Sequence, residues 1–358
     1  MKNRIKGIHH AIYPYCPKHE AQNNICFPNE YYMNIICNII RGQKIESRHQ
    51  VYAVALDEDG EIILSIGESD YSTYIRSALK PFQASAAIIS GATAAAGFIS
   101  EEIALMCASH NGEKIHVQTA KDMANKLGLN IAHYECGSHP PHDKKAREAA
   151  KKTKMGFTPF HNNCSGKHSG MLSLAKKLGV NPRGYTEMNH PVQQVIFQQL
   201  TKLIGTNHFP YGIDGCSAPT PFLSLHTIAK LFQTLGSGKY PELTEAYSAM
   251  SKHPYLIGGH NRFDTEFISA LNNKGICKAG GEAIRGIVLK TKRYGLTGIA
   301  LKVLDGNQRA IEVATMAILN HLDVLNIQEK EDLLKYETTP LYNHRKIHVG
   351  DIKAEINN

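Results

Sequence analysis

The chain has 358 residues, 42% of them apolar and 20% charged, with a formal charge of +8. That length can bury a large core as one domain or two in an ordinary soluble composition, and no apolar run approaches the ~18 residues of a helical membrane span. The positive charge raises nucleic-acid binding, but aromatic content is 8%, tryptophan is absent, and the densest basic run (residues 143–154) reads as a solvated helix face without an RNP or helix-turn-helix signature.

Residues 1–40 are rich in Tyr, Asn, Pro and Cys and read as an N-terminal extension. The first ten residues lack the apolar h-region of a secretory signal, so a cytoplasmic location is expected. Eight cysteines without framework spacing fit reduced thiols. Residues 51–56 and 61–66 flank Asp57-Glu58-Asp59-Gly60, a hairpin signal. A helix is predicted from Ser77 to about Ser90, with Pro81 tolerated in its first turn.

Helices follow at about 101–109, 113–127, 143–154, 165–178, 191–204, 222–235 and 240–251, with Gly128, Gly179, Gly205 and Gly236 as C-caps. Strands return at 275–303. A turn at Asp305-Gly306-Asn307 then leads into a long helix from Arg309 to about Leu325. The last 33 residues, 326–358, are charged and weakly patterned and read as a peripheral tail, leaving 41–325 as the catalytic domain. Strands at both ends with helices between predict an α+β, sandwich-like fold, its mixed sheet built from N- and C-terminal segments around a helical region.

Three short pieces fit one chemistry. Ser77-Ala78-Leu79-Lys80, Ser109-His110-Asn111 and Lys278-Ala279-Gly280 read as S-x-x-K, S-x-N and K-x-G, the ordered set of penicillin-recognising acyl-transfer enzymes. A serine needs a base to attack an amide, and a lysine one turn on can be that base if burial or a second cation keeps it neutral. Lys278 could be that cation, or could itself activate Ser109. The bland alternatives are a helix-capping Ser77 and a turn at Ser109. Gly280 and Gly281 would let substrate approach the backbone closely.

A second constellation is His161-Asn162-Asn163-Cys164-Ser165-Gly166-Lys167-His168, with Asp214-Gly215-Cys216-Ser217-Ala218-Pro219 far downstream. Cys164, Lys167 and His168 share a helical face by spacing, and Asp214 and Cys216 share one side of a strand. Thiolates with N or O donors suit zinc, although two cysteines also fit a reactive or simply packed thiol role. Cys136, His139 and His142 have metal-compatible spacings in a proline-stiffened loop. His9, His10, Cys16 and Cys26 carry less weight. Polar groups in Arg262-Phe263-Asp264-Thr265 and Asp305-Gly306-Asn307 serve either substrate orientation or capping.

With Glu46-Ser47-Arg48-His49, Arg76 to Phe82, Ser109 to Glu113, His190 to Gln194 and Gly259 to Thr265, these pieces make the stretch from about 41 to 325 resemble the Rhizobium-type L-asparaginase II family. The resemblance implies a serine β-lactamase/glutaminase-like fold, a homodimer, and hydrolysis of L-asparagine to L-aspartate and ammonia. It implies catalytic pairs Ser77–Lys80 and Ser109–Lys278, and a zinc ion on Cys164, Lys167 and Cys216. Asp214 would lie beside them, with Arg76, His110, Asn111, Arg262 and Glu282 as further substrate-binding positions. The family pattern G-A-E-G after the second lysine is replaced here by Gly280-Gly281-Glu282-Ala283. Rival expectations are a glutaminase or penicillin-recognising enzyme, a zinc amidohydrolase without an acyl-enzyme, and a zinc or thiol sensor without catalysis.

Overall fold

A computed structural model describes residues 33–357; His9, His10, Cys16, Cys26 and most of the 1–40 extension lie outside that range. An eight-stranded antiparallel sheet joins the two ends of the chain. Its strands are β1 (Asn34–Arg41), β2 (Lys44–Leu56), β3 (Ile62–Ile66), β7 (Gly275–Gly280), β8 (Ile284–Thr291), β9 (Gly295–Val303), β10 (Thr338–Tyr342) and β11 (His348–Asn357), in the order β10-β11-β1-β2-β9-β8-β7 with β3 on β2. A small sheet of β4 (Ser72–Tyr74), β5 (Tyr211–Ile213) and β6 (Pro219–Ser224) stands apart, in the order β4-β6-β5. Most helices lie in sequence between β4 and β7, so the α+β architecture with a sheet from both termini holds. The sheet is antiparallel throughout rather than mixed, because its neighbouring strands run in opposite directions at every pairing.

The sheet also runs past residues 41 and 325, the expected limits of the catalytic domain. Residues 34–40, placed in the extension, belong to β1, and the supposed peripheral tail supplies helix Ile327–Leu333 and strands β10 and β11. β11 pairs along the whole of β1. Its apolar signal is weak because it alternates buried and exposed positions, Ile352 being buried and Lys353 exposed.

Tight helix-to-sheet packing has a local cause in sequence. Helix Leu225–Gly236 lies on β8 and β9 at Gly286 and Gly298. A Cβ at Gly286 would fall 1.9 Å from the Phe232 ring, and one at Gly298 2.3 Å from the Ala229 carbonyl. Gly236, predicted as a C-cap, is instead the last helical residue, and a Cβ there would meet Val288 at 2.6 Å. Gly128, Gly179 and Gly205 do cap their helices in left-handed conformations.

The predicted helix from Ser77 begins later than its periodicity implies. Residues Arg76–Leu79 form a 3-10 turn and the α-helix runs Lys80–Ile89, with Pro81 in its first turn. An α-helix begun earlier would drive the Pro81 ring against the Ser77 carbonyl, four residues back. That carbonyl instead accepts the Lys80 N–H. The turn matters because i and i+3 side chains eclipse in 3-10 geometry, which puts Ser77 and Lys80 on one side.

Candidate active site

Ser77 is half-buried and lines two adjoining cavities. One, of about 430 Å³, runs past Arg76, His139, Cys164, Asp214 and Cys216. The other, of about 390 Å³, runs past Ser109, Arg262, Gly280, Gln308 and Glu312. Both are small-molecule sized. Residue 76 is held at φ 51°, and its guanidinium is pinned by a 2.7 Å ion pair from Nε to Asp214 Oδ1. Gly281 leaves room for that side chain, since a Cβ there would stand 3.1 Å from the guanidinium.

Behind Ser77, Lys80 is fully buried. Its Nζ lies 2.5 Å from the Ala108 carbonyl, 3.2 Å from the Asn163 carbonyl and 3.0 Å from Ser109 Oγ. Ser77 Oγ has no hydrogen bond among the described residues, so the expected Ser77–Lys80 contact is replaced by Lys80–Ser109. The expected Ser109–Lys278 contact is also replaced. Lys278 Nζ turns to Asp264 Oδ2 at 3.3 Å and to the Ala279 carbonyl at 2.7 Å. The reason is charge: two lysines sealed in one core each need acceptors, and they take separate sets.

Asp264 is the hub of that inner set. Its carboxylate also accepts the Ala279 N–H at 2.9 Å and faces Arg285 at 3.5 Å. Burial alone would raise the Asp264 carboxyl, but Lys278, Arg285 and the amide outweigh it and hold it well below the usual range. Burial pushes Lys278 down to about 8 against the pull of Asp264, with repulsion from Lys80 and Arg262 adding to the fall.

The other predicted positions divide. Arg262 lines the second cavity, and its Nη1 donates to Asn111 Oδ1 at 3.0 Å. Asn111 does not line either cavity; its Nδ2 is fixed on the His260 carbonyl at 2.9 Å, so it orients Arg262. His110 is fully buried, with Nδ1 accepting the Gly112 N–H at 3.1 Å and Nε2 facing Ser165 Oγ at 2.9 Å, a structural histidine. Burial, with the neighbouring His116 and Lys80, holds its pKa well below the ordinary value. Glu282 is exposed at φ 60° beside Gly306 and lines neither cavity. The cavity carboxylates are Asp214 and Glu312. Asp305 binds His49 at 2.5 Å and Asn307 caps the following turn, so that segment is structural.

Cys164 precedes helix Ser165–Leu178, Lys167 lies in its first turn, and Cys216 sits in the turn after β5 rather than on a strand. Lys167 Nζ is 2.7 Å from Cys216 Sγ, Cys164 Sγ donates to Asn163 Oδ1 at 3.1 Å, and Asp214 Oδ2 lies 3.8 Å from Cys216 Sγ. The contact with Cys164 and the charge of Lys167 pull the Cys216 thiol down to about 5, whereas its pairing with Cys216 and burial push Cys164 up to about 12. His168, expected on this face, instead bonds Tyr185 Oη at 2.6 Å. Among the described residues no three His, Cys, Asp or Glu side chains form a metal-binding group, so a metal here would need the Lys167 amine. The two cysteine sulfurs and that amine are the groups that could hold one. His139 and His142 line the cavity, whereas Cys136 is buried beside the Pro159 carbonyl.

Sequence reasoning did not assign Asp264, Gln308 or Glu312. Asp264 was legible only as one polar residue at an element end. Glu312 looks like an ordinary acid at the start of an apolar helix.

Adjoining polar cavities edged by serine hydroxyls, histidines, arginines and carboxylates mark a protein that handles a small polar molecule. The family model for L-asparaginase II matches residues 37–354, and the chain belongs to that family. The match reaches past 41–325 at both ends, in keeping with β1, β10 and β11, and it supports asparagine amide hydrolysis as the general activity. No curated protein matches the chain. A solved structure described as "Crystal Structure Analysis of Mglu" is 12% identical over 76% of this chain and 67% of that one, at a TM-score of 0.34, too low to argue from.

Proposed function

We propose that the protein hydrolyses L-asparagine to L-aspartate and ammonia through an acyl-enzyme on Ser77. The observation that carries this reading is the placement of Ser77: a half-buried hydroxyl with no hydrogen bond among the described residues, at the edge common to both cavities and one 3-10 turn from Lys80. Lys80 suits a base. As a neutral amine it gives its two N–H groups to the Ala108 and Asn163 carbonyls and points its lone pair at the Ser109 hydroxyl. As an ammonium it donates to all three partners. A proton can therefore move between Ser109 and Lys80 without rearrangement.

In this scheme Ser77 Oγ attacks the side-chain amide carbon, and its proton passes to Lys80 directly or through Ser109. Backbone N–H groups of the turn hold the oxyanion. Ser109 returns the proton to departing ammonia, and water then releases aspartate along the same path. Cys164, Lys167 and Cys216 would hold zinc. Bound there, zinc would supply positive charge beside the Ser77 cavity. Lys167 must lose its proton to ligate, so zinc affinity should fall as pH falls.

A second reading makes Ser109 the nucleophile, favoured by its 3.0 Å contact with Lys80. The deciding experiment follows ammonia release from L-asparagine and maps the trapped acyl adduct by mass spectrometry. Ser77→Ala should cut kcat by at least ~10³-fold, as loss of a nucleophile does. Near-normal turnover of that variant, or an adduct on Ser109, would sink the assignment. Zinc content measured on the wild type and on Cys216→Ser tests the metal separately; equal zinc in both would remove Cys216 from the ligand set.

A further inference from the structure

The second cavity ends on a carboxylate that the reaction scheme does not use. Glu312 sits in the first turn of helix Ile311–His321, half-buried, and lines the cavity with Ser77, Ser109, Arg262 and Gln308. Among the described residues it has neither a hydrogen bond nor an ion pair. Acids are common in first helical turns, where the helix dipole favours them. Such acids usually face water, however, whereas burial raises the Glu312 carboxyl and the nearby Arg285 and Arg262 only partly offset this. A half-buried carboxylate facing a cavity without a partner is a group that a bound cation would satisfy.

Arg262 provides the opposite charge in the same cavity. One of its five N–H donors is taken by Asn111, leaving the rest of the guanidinium fork for a carboxylate. Gln308 gives its amide N–H to the Gly280 carbonyl at 3.1 Å, which turns its side-chain carbonyl to further use. Both charge signs thus lie in one cavity with the two serine hydroxyls. A free amino acid with an ω-amide has the complementary groups, an ammonium and a carboxylate at one end and an amide at the other.

We propose that Glu312 receives the α-ammonium of the substrate beside Arg262, so that the protein acts on amino-acid amides whose α-amino group is free and rejects N-acylated ones. This rests on the hydrolytic reading above and adds the residue that reads the substrate's α-amino group.

The test compares L-asparagine with N-acetyl-L-asparagine on the wild type and on Glu312→Gln. Losing a charged hydrogen bond should raise KM for L-asparagine at least ~10-fold with kcat within ~3-fold, the mark of lost ground-state binding. The wild-type preference for the free amino acid should shrink by a similar factor, because the variant no longer distinguishes an ammonium from an amide. An unchanged KM and preference, or a lowered Tm alone, would overturn the proposal and leave Glu312 a helix-start acid. Calorimetric binding of L-aspartate and N-acetyl-L-aspartate to both proteins needs no turnover. It therefore separates the two readings: no ammonia from L-asparagine sinks the hydrolytic scheme, whereas equal binding of the two ligands sinks the role of Glu312.

Discussion

Burying Lys278 and Asp264 together gives the site a charge pair that neither residue could hold alone. Asp264 faces Lys278 and Arg285 in a fully buried setting, so Asp264→Asn removes the counter-charge of two cations at once. Loss of one partner of a buried pair costs about 3–5 kcal/mol, and urea denaturation should show a fall of that order. The pH dependence has a definite sign. Lys278 sits at about 8 in the folded chain against an ordinary 10.5, so the unfolded chain holds more protons between those values. The stability contributed by this group therefore rises with pH across that window and is absent below it. If a neutral Lys278 assists proton transfer, kcat/KM should also rise through an apparent pKa near 8. Asp264 pulls Lys278 upward, so in Asp264→Asn the acid limb of the profile should move to lower pH; an upward shift would contradict the electrostatics described. The sequence made Ser77, Lys80, Ser109 and Lys278 visible as motif members. It could not show which lysine meets which serine, because that depends on where distant carbonyls and Asp264 lie.

Elements with strong local signals were readable, and those defined by tertiary contact were not. Helix Ser165–Leu178 matches its predicted span because periodicity and the Gly179 cap agree. Helix Phe263–Leu271 went unpredicted; it is short and opens at Arg262 without a side-chain cap. The helix predicted from 222 starts at Leu225, where Ser224 caps it, because residues up to 224 pair in β6. Gly286 and Gly298 read as unremarkable strand glycines, yet they set how closely helix Leu225–Gly236 approaches the sheet. Gly286→Ala should lower stability by about 1–3 kcal/mol through overpacking against Phe232. Thermal melts test this, and an unchanged Tm would mean that the helix can retreat freely. Since β8 pairs with β7, whose end lines the second cavity, a retreat would also be felt at Gly280.

At the scale of the whole molecule, the sheet is closed by strands some 300 residues apart in sequence, β1 with β11. Such pairing leaves little local trace, and β11, with one face exposed and several charges, resembles a solvated tail when read alone. Its removal would have two consequences. β1 would become an edge strand with unpaired N–H and C=O groups, and helix Ile311–His321, which packs on both β1 and β11, would lose part of its cover. That helix carries Glu312 and stands beside buried Ile35 and Ile39, so the damage reaches both core and cavity. A chain ending at Leu325 should therefore be insoluble or melt without a cooperative transition, since an uncovered apolar edge invites pairing with other chains. A milder probe is Ile352→Asp, which puts a charge where Ile352 is 1% exposed. An unpaired buried carboxylate should cost several kcal/mol and lower Tm steeply. A soluble, fully active chain ending at 325 would show that β10 and β11 are dispensable, as the weak apolar pattern of residues 326–358 implied.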